Sequence, residues 1–416
     1  MKPRHWASLF LLGLGGQIAF AIENQFFNTF MYDKILPQPL YVSLMVAASA
    51  IVATLTAISM GALSDRLGRR RPFLLFGYLI WGVSIVAVPT AEFITAPVLA
   101  AWALIALDCI MTFFGSTAYD ACYNAYLTDI TDLTNRGKAQ GVFSLSMWVA
   151  MLIVYGSSGE IIKRFDYFFF FSMVGAIVFV SGLTGGLLAE DRAIPTGGGE
   201  GSTIRRIIST FNRSYLKEHK NFFIVLLAIG LWGMAFQVFF PFLLIYLKHY
   251  LKLTLEASTL LIFISILVGG ILAALPAGIL SDRFGRKRIA LAAVVVETTA
   301  LFLFSYIRDV FWLAVCSVCW ISAYNFWMIA TLAWSKDLYP DERRGEFSGY
   351  MTLFAVAFTM IPGPLIGGLI IEHYGIKAVI EGKDGIIPTP EIFLCAALLM
   401  ILPLIPVLIA KEKKEK

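Results

Sequence analysis

Read for hydrophobic and polar positions alone, the chain is a succession of long apolar blocks separated by short polar ones that hold nearly all the charge. The blocks lie near 6–30, 40–63, 73–90, 98–127, 140–158 and 168–189, then near 221–247, 256–280, 288–306, 310–334, 346–371 and 390–410. Their lengths suit the roughly 20 residues that a helix needs to cross the hydrocarbon of a bilayer. Only helices and closed barrels satisfy their backbone groups in lipid, and barrel strands are about half as long and alternate in polarity. The pattern predicts an all-α membrane protein of twelve spanning helices. Its expected organisation is a six-helix bundle over 1–189, a polar link over 190–220, a second six-helix bundle over 221–410 and a basic tail over 411–416.

Composition excludes the main alternative. Of 416 residues 58% are hydrophobic and 15% charged, against about 25% charged in soluble domains, so a soluble enzyme is not expected. The four histidines, His5, His219, His249 and His373, fall at the terminus or in loops, and no nucleophile with a nearby base can be nominated. Cys109, Cys122, Cys316, Cys319 and Cys395 all lie in apolar blocks and read as small buried hydrophobes, not as a disulfide framework or a metal site. No cofactor, metal or nucleic acid is implied; a small-molecule substrate, the lipid bilayer and a monomeric state are. Lys2 and Arg4 before an apolar stretch ending in Ala19-Phe20-Ala21 imitate a signal peptide, but cleavage there would delete the first helix of a repeat whose second copy is complete.

Charge placement sets the expected orientation. Most of the 33 lysines and arginines fall in alternate loops that share a side with both termini, which the positive-inside rule assigns to the cytoplasm of a cell membrane. In the link, Ile204, Ile207, Ile208, Phe211 and Tyr215 recur at helical spacing with Arg205, Arg206 and Arg213 between them, the pattern of a helix lying on the inner leaflet. Asn212-Arg213-Ser214 matches a glycosylation acceptor, but it falls on the cytoplasmic side.

The strongest signal is duplication. Gly61-Ala62-Leu63-Ser64-Asp65-Arg66-Leu67-Gly68-Arg69-Arg70-Arg71, after the second block, is echoed by Gly278-Ile279-Leu280-Ser281-Asp282-Arg283-Phe284-Gly285-Arg286-Lys287-Arg288 after the eighth. Asp129, Arg136, Gly137 and Gly141 after the fourth are matched without gaps by Asp337, Arg344, Gly345 and Gly349 after the tenth. Repeated halves of this kind place a substrate site where they meet, near the bilayer midplane. Over essentially its whole length the chain thereby resembles the major facilitator superfamily, whose signature after helix 2 is G-x-L-x-D-R-x-G-R-R-[RK]. The small Gly61 and Gly278 suit close helix approach. The resemblance implies that Asp65 faces helix 11 and Asp282 faces helix 5, with Arg136 and Arg344 completing charge clusters that hold the inner gate shut. Asp120 to Leu127 with Arg136 is also similar to the fourth helix of glycoside-pentoside-hexuronide cation symporters, where an aspartate contributes to sugar recognition. The Asp65 motif running into Arg70-Arg71-Pro72-Phe73 resembles sucrose and disaccharide proton symporters. The second block offers Thr54, Thr56 and Ser59 but none of the carboxylates that bind sodium in the first of those groups, which sets the proton ahead of sodium. A Gly-Pro-x-x-Gly-Gly typical of drug antiporters is absent from the fifth block and appears instead as Gly363 to Gly368 in the eleventh.

Charges inside a bilayer cost roughly 2.5 to 3.5 kcal/mol on insertion scales and are functional candidates by default. Glu23, Asp108, Asp120 and Glu297 qualify. Asp120 is expected to share a face with Ser116, Thr117, Tyr123 and Asn124. Glu23, with Gln17 and Asn28 nearby, falls at a depth similar to Asp108, so the two acids can interact, and burial with like charge favours a bound proton. Glu297 is the weakest candidate because the resemblance puts the ninth helix outside the cavity. In the second half Trp320, Tyr324 and Trp327 with Asn325, together with Trp232 and Gln237, suit a neutral polar ring. The expected function is secondary active transport by alternating access, as proton-coupled symport of a small neutral solute such as a sugar. Proton-driven efflux of hydrophobic or cationic compounds is the alternative, and a non-transporting membrane sensor a second.

Overall fold

The structure, a computed structural model, describes residues 2–131, 136–191, 217–338, 350–351 and 353–411. The anticipated surface helix at 204–215, Arg344 and the side chain of Arg136 lie outside the described residues. Twelve helices among those described are long and apolar enough to cross a membrane. They are α1 Pro3–Ile35, α2 Pro39–Leu67, α3 Arg71–Phe93, α4 Pro97–Ile130, α5 Arg136–Phe165, α6 Tyr167–Leu188, α7 Lys220–Tyr250, α8 Leu255–Leu272 continuing through Ala273–Phe284, α9 Arg286–Tyr306, α10 Val310–Asp337, α11 Leu353–Tyr374 and α12 Glu391–Ile409.

Local chemistry explains the ends. Pro3, Pro39 and Pro97 open α1, α2 and α4 at the first helical position, where a missing N–H costs nothing and φ is already helical. Side chains of Asp166, Thr254 and Asp309 cap α6, α8 and α10 by accepting backbone N–H groups, which removes orphan donors that lipid cannot satisfy. Hydroxyls inside the spans bond their own helix: Thr54 donates to Ala50 O and Ser59 to Leu55 O, both at 2.8 Å. A hydroxyl satisfied in this way is no evidence of a site.

The chain divides into two units, Met1–Thr203 with Val379–Gly385, and Ile204–Ala378 with Ile386–Lys416. In the first, α3 and α6 come into backbone contact: a Cβ on Gly82 would lie 2.7 Å from Gly175 O, and one on Gly175 2.6 Å from Gly82 O. Small residues allow this approach, which is the means of helix association where lipid removes the hydrophobic driving force.

The sequence reading left 372–389 as loop, and the structure makes a hairpin of it. β1 (Ile376–Ile380) pairs with β2 (Lys383–Ile387), turning on Glu381 (φ 47°) and Gly382 (φ 80°). Positive φ at both central residues is the two-residue turn that matches strand twist. The tip belongs to the first unit, where Lys383 Nζ donates to Lys34 O at 2.7 Å and Ile35 O at 2.9 Å. It thereby satisfies carbonyls at the end of α1, while Lys34 pairs with Glu381 at 3.1 Å.

Candidate functional site

Within the first unit, Glu23 lies within electrostatic reach of both other predicted acids, Asp108 and Asp120. Glu23 sits in a wide π-type turn of α1, Ile22–Phe27, and Oε1 accepts the Thr112 hydroxyl of α4 at 3.0 Å. Asp108, one turn before Thr112, is buried and within electrostatic reach of Glu23. Glu23 Oε2 and Asp108 Oδ1 find no hydrogen-bond partner among the described residues. Thr112 was missed in the sequence, although Asp108, Thr112 and Ser116 recur at i, i+4 and i+8 and mark one polar stripe on α4.

Asp120 also lies in a wide turn, Thr117–Tyr123. Such turns are frequent at functional sites, and here the turn separates residues that a regular helix would align. Tyr123 is directed into the core, its hydroxyl donating to Leu9 O of α1 at 2.9 Å. Asn124 is exposed, and its amide donates to the Asp120 carbonyl at 3.3 Å. Gln17 of α1 meets Tyr119, which the sequence reading did not single out: Nε2 donates to the phenol at 2.7 Å. Tyr119 stacks on Tyr123 with centroids 4.8 Å apart and lies against Gly16, where a Cβ would come within 2.2 Å of the ring. Asn28 is buried and donates along its own helix to Asn24 O. The residues of this group that keep accessible surface are Gln17, Glu23, Asp120 and Asn124. Gln17, Glu23 and Asp120 are half-buried and Asn124 is exposed.

In the second unit the aromatic stripe is a packed cluster. Trp232 of α7 stacks on Trp327 of α10 (5.5 Å, 26°) and on Phe236 (5.7 Å, 20°), and Tyr324 tilts against it at 5.2 Å. Trp320 and Trp327 are buried, whereas Tyr324 and Gln237 keep accessible surface. Asn325 is buried and donates to the carbonyls of Gly269 and Gly270, where α8 passes through a wide turn at Ile266–Leu272. Its amide satisfies backbone that the turn releases. Glu297 of α9 is fully buried, and Oε2 accepts the Trp232 indole N–H at 2.8 Å.

At the loop ends Asp65 pairs with Arg70, a partner within its own motif. Arg70 is 5% exposed and also holds Ser64 and, at 3.1 Å, Asp129. The sequence reading named Arg66, Arg69 and Arg136 for this charge cluster and did not single out Arg70. The duplicate motif pairs Arg286 with Asp337. Arg71 donates to Gly186 O and Leu187 O at the end of α6, and Lys287 donates to Leu408 O and Ala410 O at the end of α12. The roles of Arg70 and Arg71 thus fall to Arg286 and Lys287, one position earlier than the sequence echo aligns them. The shift arises at the glycines. Gly68 (φ 63°, ψ 22°) ends α2 and leaves Arg69 and Arg70 before α3, whereas Gly285 (φ 89°, ψ 144°) leads directly into α9 at Arg286. Arg283 lies over the Phe284 ring at 5.5 Å, and Arg66, Arg69 and Asp282 make no side-chain hydrogen bond or ion pair among the described residues.

The family profile described as Major Facilitator Superfamily matches residues 6–272 and again 225–416. Multidrug resistance protein 1 of Bacillus subtilis (strain 168) is 23% identical over 341 residues, 80% of each chain. Among solved structures, nucleoside transporter NupG aligns with a TM-score of 0.72 at 14% identity, covering 99% of this chain and 100% of its own. A D-xylose-proton symporter aligns with a TM-score of 0.72 at 14% identity, covering 96% of both. Duplicated halves, twelve spans and a profile matched from end to end agree: this chain belongs to the Major Facilitator Superfamily and is a multi-pass membrane transporter.

Proposed function

We propose that the transporter is proton-coupled and imports a small neutral polar solute, sugars first, by symport, working as a monomer with both termini in the cytoplasm. The observation that carries this reading is the Glu23–Thr112–Asp108 group. Two carboxyls, Asp108 buried and Glu23 half-buried, share one polar site, and no lysine or arginine stands in the middle of α1 or α4 to neutralise them. One charge at mid-membrane costs about 2.5 to 3.5 kcal/mol on insertion scales, and two adjacent like charges cost more, so the protonated form is the inexpensive one. Asp120, Asn124 and Gln17, which keep accessible surface in the same unit, provide hydrogen-bonding groups for hydroxyls, and Tyr324 and Gln237 supply a ring and an amide in the other. The same lack of mid-span cations disfavours phosphate esters and dicarboxylates as substrates. Coupling then requires the site to reorient when it holds both proton and solute, which is the neutral and inexpensive state, and to return when it holds neither; a site holding solute without the proton does not complete the crossing.

The test is transport into proteoliposomes after a thermal-shift screen over sugars, nucleosides and lipophilic cations, since a ligand that binds the folded state raises the melting temperature. The expected result is stabilisation by a sugar or nucleoside and its accumulation down an inward proton gradient. A second reading, proton-driven efflux, draws support from the 23% identity to a protein named for multidrug resistance and from the aromatic cluster around Trp232. Stabilisation by lipophilic cations alone, with proton-driven export of ethidium, would replace symport by that reading. Cysteines placed in 64–72 and labelled by an impermeant reagent from outside sealed cells would overturn the orientation.

A further inference from the structure

Glu297 has no place in the proton-coupling group of the first unit, yet it is the one acid of the described second unit that stands near the middle of its spanning helix. Its side chain is 0% exposed. Oε2 accepts the indole N–H of Trp232 at 2.8 Å, and Oε1 has no partner among the described residues. The titratable group facing it from a neighbouring helix is Tyr324 of α10. Among the described residues no cation acts on it, and the basic residues of its own helix, Arg286, Lys287 and Arg288, are all in the first turn. An ionised carboxylate so placed would be a buried charge with a single neutral donor, the arrangement that proteins avoid by taking up a proton.

We propose that Glu297 is a proton-binding site of the second unit, with the proton on Oε1 and Trp232 reporting its occupancy to the aromatic cluster. In the protonated acid Oε2 is the carbonyl oxygen, which accepts the indole N–H and leaves Oε1–H unengaged and able to pass its proton to water when the site is wetted. Losing the proton spreads a negative charge over both oxygens and so makes Oε2 a charged acceptor against the edge of the indole. That charge strengthens the hydrogen bond and draws on a ring that stacks with Trp327 and Phe236 and touches Tyr324. Tyr324 keeps accessible surface in this cluster, so the occupancy of Glu297 is transmitted to a ring that a solute can touch. The inference rests on the second unit alone and does not require the acids of the first to be coupling residues.

Infrared spectroscopy of the purified full-length protein tests it through the carbonyl stretch of protonated carboxylic acids. Glu297→Gln is near-isosteric and preserves an acceptor for Trp232; it should delete one such band. Trp232→Phe retains the acid and removes its donor, so the same band should move to higher frequency, a shift that a merely structural role would not produce. Raising the pH should bleach the band and change tryptophan emission in step, and Glu297→Gln should abolish that emission change. Glu23→Gln and Asp108→Asn should leave this band in place, which separates failure here from failure of the symport reading. An unaltered set of acid bands in Glu297→Gln, or an unmoved band in Trp232→Phe, overturns the proposal. If Glu297→Gln does not fold, the Trp232→Phe band shift decides alone.

Discussion

The two units descend from one repeated plan, and they agree at the loop ends while differing at mid-span. At the ends, an arginine of the motif after the second helix of each unit pairs with an aspartate at the end of the fourth. The next basic residue satisfies the terminal carbonyls of the sixth. At mid-span the first unit holds Glu23, Asp108 and Asp120 on its first and fourth helices, whereas the second presents Trp232, Trp320, Tyr324 and Trp327 on the corresponding pair, with a single acid on its third. The ends do the same task in both copies, closing helix termini and fixing loops, so one solution serves twice. The middles differ in chemistry, with three acids in one unit and an aromatic cluster beside a single acid in the other.

That difference is most directly broken at the acids, where the largest effects are expected. Glu23→Gln and Asp108→Asn should each abolish concentrative transport while leaving insertion and melting temperature close to wild type, because an amide costs less to bury than a carboxylate. Asp120→Asn separates two roles. If Asp120 carries the proton, the variant should still exchange solute down its gradient; if it holds the solute, exchange should vanish as well. Trp327→Phe in the second unit should raise KM and leave proton dependence unchanged. Full accumulation by all three acid variants, or loss of proton dependence in Trp327→Phe, would rule out a division of labour between the two middles.

The loop ends offer a smaller and more physical comparison. Arg70 is 5% exposed with three partners, and removing it takes one donor from each of Asp65, Asp129 and Ser64, so Arg70→Ala should cost about 3 kcal/mol, the lower end for breaking a buried pair. Arg286 pairs with an Asp337 that is 44% exposed at its side chain, and Arg286→Ala should cost about 1 kcal/mol or less, as surface pairs do. Melting temperatures of the two variants in one detergent provide the comparison. Equal losses would mean that the ends are equivalent and that the burial of Arg70 carries no extra energy.

Much of the fold was legible because lipid leaves few choices: a run of apolar residues between charges must be a helix, and its duplication appears in Gly61 to Arg71 and Gly278 to Arg288. What escaped was whatever depends on phase or on a partner far along the chain. The wide turns at Glu23 and Asp120 insert a residue that periodicity does not reveal, so Tyr123 and Asn124 were placed on one face although the structure parts them. Arg70 could not be told from Arg69 and Arg71 until Gly68 fixed which of the three turns inward. The hairpin did leave a signal, β-branched Ile376, Val379, Ile380, Ile386 and Ile387 around Glu381-Gly382. That signal is weak beside two spanning helices. Thr112 was overlooked because a threonine in a span usually bonds its own helix, as Thr54 does.

The smallest expected effect distinguishes the two units at their first helices. In the first unit the start of α1 is tied to the end of α6 by charge. Glu190 accepts from Arg4 Nη1 at 2.5 Å and lies 3.1 Å from His5 Nε2, with Lys2 at 3.9 Å. In the second unit the same junction between α7 and α12 is neutral: Asn221 donates to Lys411 O and accepts Lys411 N–H at 2.7 Å. The hydrogen bond with His5, aided by the charges of Arg4 and Lys2, holds the Glu190 carboxyl below its ordinary value of 4.5. A depressed carboxylate stabilises the folded state fully above its unfolded value and ceases to do so as pH falls through the folded one. The charged junction should therefore weaken only below 4.5, and only slightly, because Glu190 is solvent-screened. Glu190→Gln should lower the melting temperature a little near neutral pH and make its decline on acidification shallower than in wild type. Asn221→Ala should lower it by the same amount at every pH, since neither the amide nor the backbone titrates. If Glu190→Gln keeps the wild-type acid slope, the acid sensitivity of the protein lies elsewhere and the two junctions are equivalent in all but composition.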